Sequence, residues 1–189
     1  MTASEVFRRL TTALERAGIP YMLTGSFASA YYGATRSTQD IDFVIEATPE
    51  TLETLTRQLP RDEYYLELKA ALEAHRERSL FNVIDLATGW KIDLIIRKAR
   101  AFSAEEFQRR RRANLHGVPI FVASAEDVVL SKLEWSKLSA SQRQLEDVVA
   151  ILRLRWDRLD RLYLKKWIAA LELEAEWKSA IEKAGLANR

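Results

Sequence analysis

The stretch "TGSFASAYYGATRSTQDID", residues 24–42, stops the apolar run Tyr21-Met22-Leu23 at Gly25-Ser26 and closes on Asp40 and Asp42, at the entrance of a second apolar run, Phe43-Val44-Ile45. A small-residue turn at that place predicts a strand over 21–24 that passes directly into a helix. The segment FASAYYGA, 27–34, reads as that helix, closed near Gly33. Residues 41–46 read as the next strand. Alternation there puts Ile41, Phe43 and Ile45 on one face, and Asp40, Asp42 and Val44 on the other. Two like charges at about 4 Å repel by roughly 4 kcal/mol at an effective dielectric near 20. The pair must therefore be solvated or bridged by a cation, and the D-x-D spacing alone decides neither.

Two features outside the pair bear on that choice. Asp93 lies inside the apolar run Lys91-Ile92-Asp93-Leu94-Ile95-Ile96. Aspartate is depleted in strands and rarely buried without a partner. Alternation offers it Lys91 or Arg97 on its own face, and a bound cation is the other answer. At Gly25-Ser26, a glycine lets phosphate oxygens approach the backbone, and a helix N-terminus adds free N–H groups and the positive end of the dipole. A phosphate cradle beside a carboxylate cluster is equipment for metal-assisted phosphoryl or nucleotidyl transfer.

The rest of the chain frames this core as α+β. Thr2 and Glu5 read as a capping box for a helix that turns Phe7, Leu10 and Leu14 inward and ends at Gly18. Thr48 as N-cap and Pro49 at N1 start a helix carrying Leu52, Leu55 and Leu59. Two β-rich runs around Ala87-Thr88-Gly89 predict a hairpin over 80–97. Ser103 and Glu106 read as a capping box for a helix ending in Arg109–Arg112, and Gly117-Val118-Pro119 as a turn into a strand over 120–123. No proline follows Pro119, no glycine lies between Gly117 and Gly185, and Trp135, Trp156, Trp167 and Trp177 all fall beyond. With Ser124 and Asp127 as a capping pair, residues 125–184 predict three to four helices with the tryptophans packed between them. The expected domains are 1–123, α+β, and 124–189, helical.

Bulk composition excludes other classes. With 189 residues, 48% apolar and 30% charged, the chain can bury a substantial core. It has no cysteine, so disulfides and thiolate metal sites are ruled out. The first residues, MTASEVFRRL, carry charges where a signal peptide needs an apolar segment, and the longest uncharged stretch, 17–35, is rich in glycine and hydroxyl groups. The expectation is a cytoplasmic protein with no membrane partner. A net charge of +2 does not by itself argue for nucleic acid. Arg109–Arg112 reads as a solvated helix end rather than an RNA footprint, Arg143 and Asp147 as an i,i+4 surface pair, and His75 and His116 as isolated.

Taken together, Leu23, Gly25-Ser26, Asp40-Ile41-Asp42 and a later acid at Asp93 resemble the DNA polymerase β-like nucleotidyltransferase superfamily. The stretches TRSTQDIDFVI, SLFNVIDLATGWKIDLIIR, SAEDVVLSKLEWSK and RQLEDVVAIL are more narrowly similar to stand-alone bacterial and archaeal nucleotidyltransferase-like proteins related to the abortive-infection nucleotidyltransferase toxins. The resemblance spans about residues 10–175. It implies a minimal nucleotidyltransferase fold, a small mixed sheet flanked by helices, with a helical C-terminal part. It also implies a two-ion Mg²⁺ site with Asp40 and Asp42 on both ions, and Asp93 on the catalytic ion and the acceptor hydroxyl. Gly25 and Ser26 would hold the β- and γ-phosphates of a nucleoside triphosphate, with Lys132 near the triphosphate. As a residue, Lys132 reads equally as a solvated helix-face lysine. Arg36 would either reach a phosphate or, the preferred reading, pair with the acid cluster and hold its loop. The implied reaction is transfer of a nucleoside monophosphate to a hydroxyl of RNA, protein or a small molecule, with an antitoxin-like partner if the protein is a toxin. The alternative is a catalytically lapsed binding or regulatory protein on the same fold.

Overall fold

A computed structural model describes residues 3–34, 36–38 and 40–187. In chain order the elements are α1 (Ala3–Arg16), β1 (Tyr21–Leu23), α2 (Gly25–Tyr32), β2 (Asp40–Ile45), α3 (Pro49–Gln58), β3 (Tyr64–Tyr65), α4 (Leu68–Glu77), β4 (Leu80–Asp85), β5 (Lys91–Ile96), α5 (Ala101–Gln108), β6 (Arg111–Leu115) and β7 (Val118–Val122). Then come α6 (Ala125–Ser139), α7 (Gln142–Arg155), a 3₁₀ turn (Trp156–Arg158), α8 (Arg161–Ala170) and α9 (Glu174–Ala184). They fall into two compact units, Met1–Thr24 with Thr38–Ala123, and Gly25–Ser37 with Ser124–Arg189. The segment 25–37 thus groups with the C-terminal helices, although both of its flanks belong to the first unit. Among the described residues no helix is long and apolar enough to cross a membrane.

The first unit is a seven-stranded mixed sheet, order β3-β4-β5-β2-β1-β7-β6. The β2–β5 and β1–β7 pairs are parallel, and the others antiparallel. The alternation read from the sequence holds: Ile41, Phe43 and Ile45 are fully buried, while Asp40, Asp42 and Val44 are not. Phe43 meets Phe7 of α1 and Tyr21 of β1 edge-on, with ring centroids 6.3 and 5.6 Å apart. Thr48 caps α3 in a reciprocal box with Thr51, Pro49 sits in its first turn, and Leu52 and Leu55 are buried. The hairpin around residues 87–89 joins β4 to β5, with Asp85 Oδ1 accepting from the Ala87 and Thr88 N–H groups.

Two local expectations fail here, and one lies outside the described residues. Helix α5 starts at Ala101 with Arg100 at its N-cap and no side-chain cap, so Ser103 and Glu106 lie inside it as buried residues. Ser103 Oγ accepts instead from Arg100 Nε at 3.0 Å. The helix stops at Gln108, and Arg111 and Arg112 open the edge strand β6, paired with β7 across a two-residue turn at His116 (φ 50°) and Gly117 (φ 81°). Left-handed dihedrals at both turn positions match the twist of an antiparallel ribbon, and that non-local pairing overrides the helical reading of the arginines. The Thr2–Glu5 capping box falls outside the described residues, because it needs Thr2.

The second unit contains α2 with α6–α9. Ser124 caps α6, accepting from the Asp127 N–H at 3.2 Å and donating to Asp127 Oδ2 at 2.5 Å. The tryptophans divide: Trp167 is buried, Trp156 stacks on Trp177 with centroids 6.3 Å apart, and Trp135 is exposed. The expectation that all four pack between helices therefore fails for Trp135.

Candidate active site

In the first unit, strand register assembles the acids. Asp42 of β2 is the direct Cα partner of Asp93 of β5, and Asp40 is the partner of Lys91. Neighbouring strands lie about 4.8 Å apart, so the Asp42 and Asp93 side chains rise from the same face as close neighbours. Asp40 lies two residues before Asp42 on that face and is exposed. On the other side of Asp93, its partner in β4 is Asn82, whose Nδ2 donates to Asp93 Oδ1 at 2.5 Å. Lys91 Nζ lies 3.0–3.1 Å from both Asp93 oxygens. Of the two partners that alternation offers Asp93, Lys91 takes the place, and Arg97 pairs with Glu46 at 2.6 Å. The hydrogen bond with Asp93 holds the Lys91 pKa above the ordinary lysine value; burial opposes this, and the charges of Asp93, Asp40 and Asp42 add to it. All three carboxylates therefore act on one ammonium group.

Among the described residues, no three His, Cys, Asp or Glu side chains close on a point as a preformed metal cage. The donor chemistry still suits a hard cation. Mg²⁺ binds through one or two carboxylates and completes its shell with water and substrate phosphates rather than with a full protein cage. Just past β1, Thr24 donates its N–H to the Asp42 carbonyl at 2.9 Å.

The second unit brings together the other candidates. Gly25 opens α2 at φ 63°, a left-handed conformation that glycine adopts without the strain of a Cβ. Its carbonyl accepts from Ser29 Oγ at 2.9 Å. Ser26 is buried, and its Oγ accepts from an Arg36 terminal nitrogen. Arg36 Nε in turn lies 3.2 and 3.1 Å from the two Asp147 oxygens. Lys132 Nζ is 2.7 Å from Asp147 Oδ2 and donates to Gln144 Oε1, also at 2.7 Å. The side chains of Lys132 and Asp147 are 5% and 6% exposed.

Three readings are corrected by this cluster. Lys132 is a buried ion-pair partner, not a solvated helix-face lysine. Arg36 holds its loop through Asp147 and Ser26, not through the Asp40–Asp42 cluster. Asp147 is a buried hub rather than the surface partner of Arg143. The residue missed from the sequence is Asp147 itself, and its signal was present: it is an acid on a helix whose neighbours Leu145, Val148, Ile151 and Leu152 are all buried. Asn82 carried a weaker signal, as a polar residue at an alternate position of β4.

A family model described as "Nucleotidyltransferase of unknown function (DUF6036)" matches residues 3–183. A comparison with curated proteins finds no match. Among solved structures, ANT(2″)-Ia in complex with adenylyl-2″-tobramycin aligns with TM-score 0.61 at 14% identity, covering 93% of this chain and 99% of that one. The lincomycin-bound lincosamide antibiotic adenylyltransferase LnuA aligns with TM-score 0.55 at 14% identity, covering 80% and 96%. An antigenic nucleotidyltransferase-like protein from Paracoccidioides brasiliensis gives 0.51 at 16% identity, covering 95% and 92%. At such identities the likeness to these structures is one of fold. With a family model spanning nearly the whole chain, the chain belongs to this nucleotidyltransferase family.

Proposed function

We propose that the protein uses Mg²⁺ and a nucleoside triphosphate to transfer a nucleoside monophosphate to an acceptor hydroxyl on RNA, protein or a small molecule. The observation that carries this reading is the parallel register that pairs Asp42 with Asp93 and leaves Asp40 on the same face. In the reaction the acceptor oxygen forms a bond to the α-phosphorus while the bond to the bridging oxygen of pyrophosphate breaks, and pyrophosphate leaves. Asp93 takes the hydroxyl proton; Asn82 and Lys91 hold its carboxylate in one orientation. Asp40, Asp42 and Asp93 are the carboxylates that would hold Mg²⁺, which when bound supplies positive charge at the attacking and leaving oxygens. Gly25 and Ser26 offer backbone N–H groups to the β- and γ-phosphates, and Lys132 and Arg36 supply positive charge toward the triphosphate, steadied by Asp147.

The test is incubation with each α-labelled nucleoside triphosphate, Mg²⁺ and cell extract, followed by separation of RNA, protein and small molecules. Label should enter one fraction with wild type and none with Asp42→Asn. Equal labelling by the two proteins refutes the assignment. One observation favours the lapsed, nucleotide-binding alternative: Lys132 and Arg36 are both already engaged by Asp147. That reading predicts a nucleotide-dependent rise in melting temperature with no label transferred by either protein.

A further inference from the structure

We propose that the basic, aromatic surface centred on Trp156 is where the acceptor docks, and that this acceptor is a single-stranded nucleic acid. Residues 153–166, RLRWDRLDRLYLKK, carry six cations and two acids, a local net charge of +4 (6 − 2) in a chain of net charge +2. One of the two acids, Asp160, is spent as the N-cap of α8, accepting from the Tyr163 N–H at 3.0 Å. Trp156 lines two neighbouring pockets. The first, about 530 Å³, also has Tyr31, Tyr32, Arg153, Arg155 and Arg158 in its wall. The second, about 500 Å³, has Arg161, Lys165 and Trp177. One acid lines each, Asp157 in the first and Glu174 in the second.

Planar cations and rings alternate across this surface. The Arg155 guanidinium lies 5.7 Å from the Tyr32 ring centre, and that of Arg161 lies 5.5 Å from Trp156. Tyr31 stands edge-on to Tyr32 at 5.0 Å. Two concave places that share an indole wall, one rimmed by three arginines and the other by Arg161 and Lys165, match a polymer that repeats a flat base and a charged phosphate. Stacking on rings, with a basic track for the backbone, is how proteins hold single strands without reading sequence. An isolated nucleotide would need one pocket, and an acidic peptide would make no use of the rings. A membrane surface is the rival occupant, because Leu154 and Leu162 are exposed beside the same cations. The concave aromatic lining favours the nucleic acid.

Only in naming this ligand the acceptor does the inference rest on the transfer reading; the binding does not. The probe is a fluorescently labelled 20-nucleotide single strand of mixed sequence, as RNA and as DNA, titrated with the full chain in EDTA without nucleotide while anisotropy is read. Binding should weaken with salt, with a log–log slope of about −2 to −3.5 if three to five phosphates are neutralised. The exposed double variant Arg158→Glu/Arg161→Glu should bind at least tenfold more weakly and flatten the slope by about 1.4. Trp156→Ala should lose fivefold or more. Circular dichroism melting confirms that the variants fold, and the control Arg111→Glu/Arg112→Glu, on β6, should bind as wild type. Preference for either polymer supports the proposal and says which one docks. No binding at 50 mM salt, binding indifferent to the double variant, or loss only in the β6 control overturns it. So does binding to anionic phosphatidylglycerol vesicles that the Trp156-surface variants lose while keeping the oligonucleotide. Asp42→Asn should bind the strand normally. Strand binding without transfer by any protein defeats the transfer reading alone, and transfer without strand binding defeats this inference alone.

Discussion

Replacing Asp147 with asparagine tests the hub of the second unit, since it keeps the side-chain shape and removes the charge that balances two cations. Lys132 and Asp147 are almost fully shielded from water, whereas Arg36 is 25% exposed and can be partly hydrated. Breaking a buried ion pair from one side costs about 3–5 kcal/mol, because the orphaned charge stays buried. Lys132 keeps its bond to Gln144 Oε1, which places the cost near the lower end, about 3 kcal/mol. In a chain of this length each kcal/mol moves Tm by roughly 2–4 °C, so Asp147→Asn should melt about 6–12 °C below wild type. Had Asp147 been an exposed i,i+4 partner of Arg143, the loss would be about 0.3–0.5 kcal/mol, or roughly 1–2 °C. Circular dichroism melting at 50 and 500 mM salt separates these cases, since a surface pair is screened and a shielded one hardly is. Adding Lys132→Met to Asp147→Asn should recover much of the loss, because removing both buried charges spares the orphan. A single-variant drop of less than 2 °C, or a double variant that melts lower still, refutes the argument.

Other outcomes follow from the same geometry. Asp42→Asn should leave the protein without metal as stable as wild type or slightly more so, since it relieves repulsion with Asp93. It should also abolish both transfer and the stabilisation by Mg²⁺ with nucleotide, which in wild type amounts to about 2.7 kcal/mol at a hundredfold excess over Kd, or roughly 5–11 °C in a thermal-shift assay. Lys91→Met removes the ammonium group that bridges both Asp93 oxygens; with Lys91 nearly half exposed, urea unfolding should show a loss of only about 1 kcal/mol. Gly33→Ala forces a Cβ to within 2.2 Å of Leu154 Cδ1 at φ +117°. Leu154 is exposed and can swing away, so the residual cost is backbone strain of about 1–3 kcal/mol, read as a Tm drop of roughly 2–12 °C.

The parts of this molecule that could be read from sequence are those set by neighbours along the chain. The Thr48–Pro49 start of α3, the alternation across Asp40 and Asp42, the hairpin at residues 87–89 and the Ser124 cap of α6 each depend on a few consecutive residues. What escaped depends on partners far away. Arg111 and Arg112 look helical until β7 supplies a strand to pair with, and Asp147 looks like half of a surface pair until Arg36, 111 residues earlier, reaches it. The acid set lies between these cases. Asp93 announced itself as an acid in an apolar strand, but its choice of Lys91 over Arg97 was settled by Glu46, which claims Arg97 from just past the end of β2.

The grouping of residues 25–37 with 124–189 also sets an order of events during synthesis. Strands β1 and β2 flank this segment and can pair as soon as both are made. The partners of α2 in α6 and α7 follow roughly 90 to 130 residues later, which at about 5–20 residues per second is a wait of about 5–26 s. Throughout that interval the Gly25-Ser26 turn is anchored at its strand end while α2 lacks its partners α6 and α7. The turn, though encoded near the start of the chain, is among the last pieces to be finished, so a ribosome-bound intermediate lacking α7 should not yet hold a nucleotide.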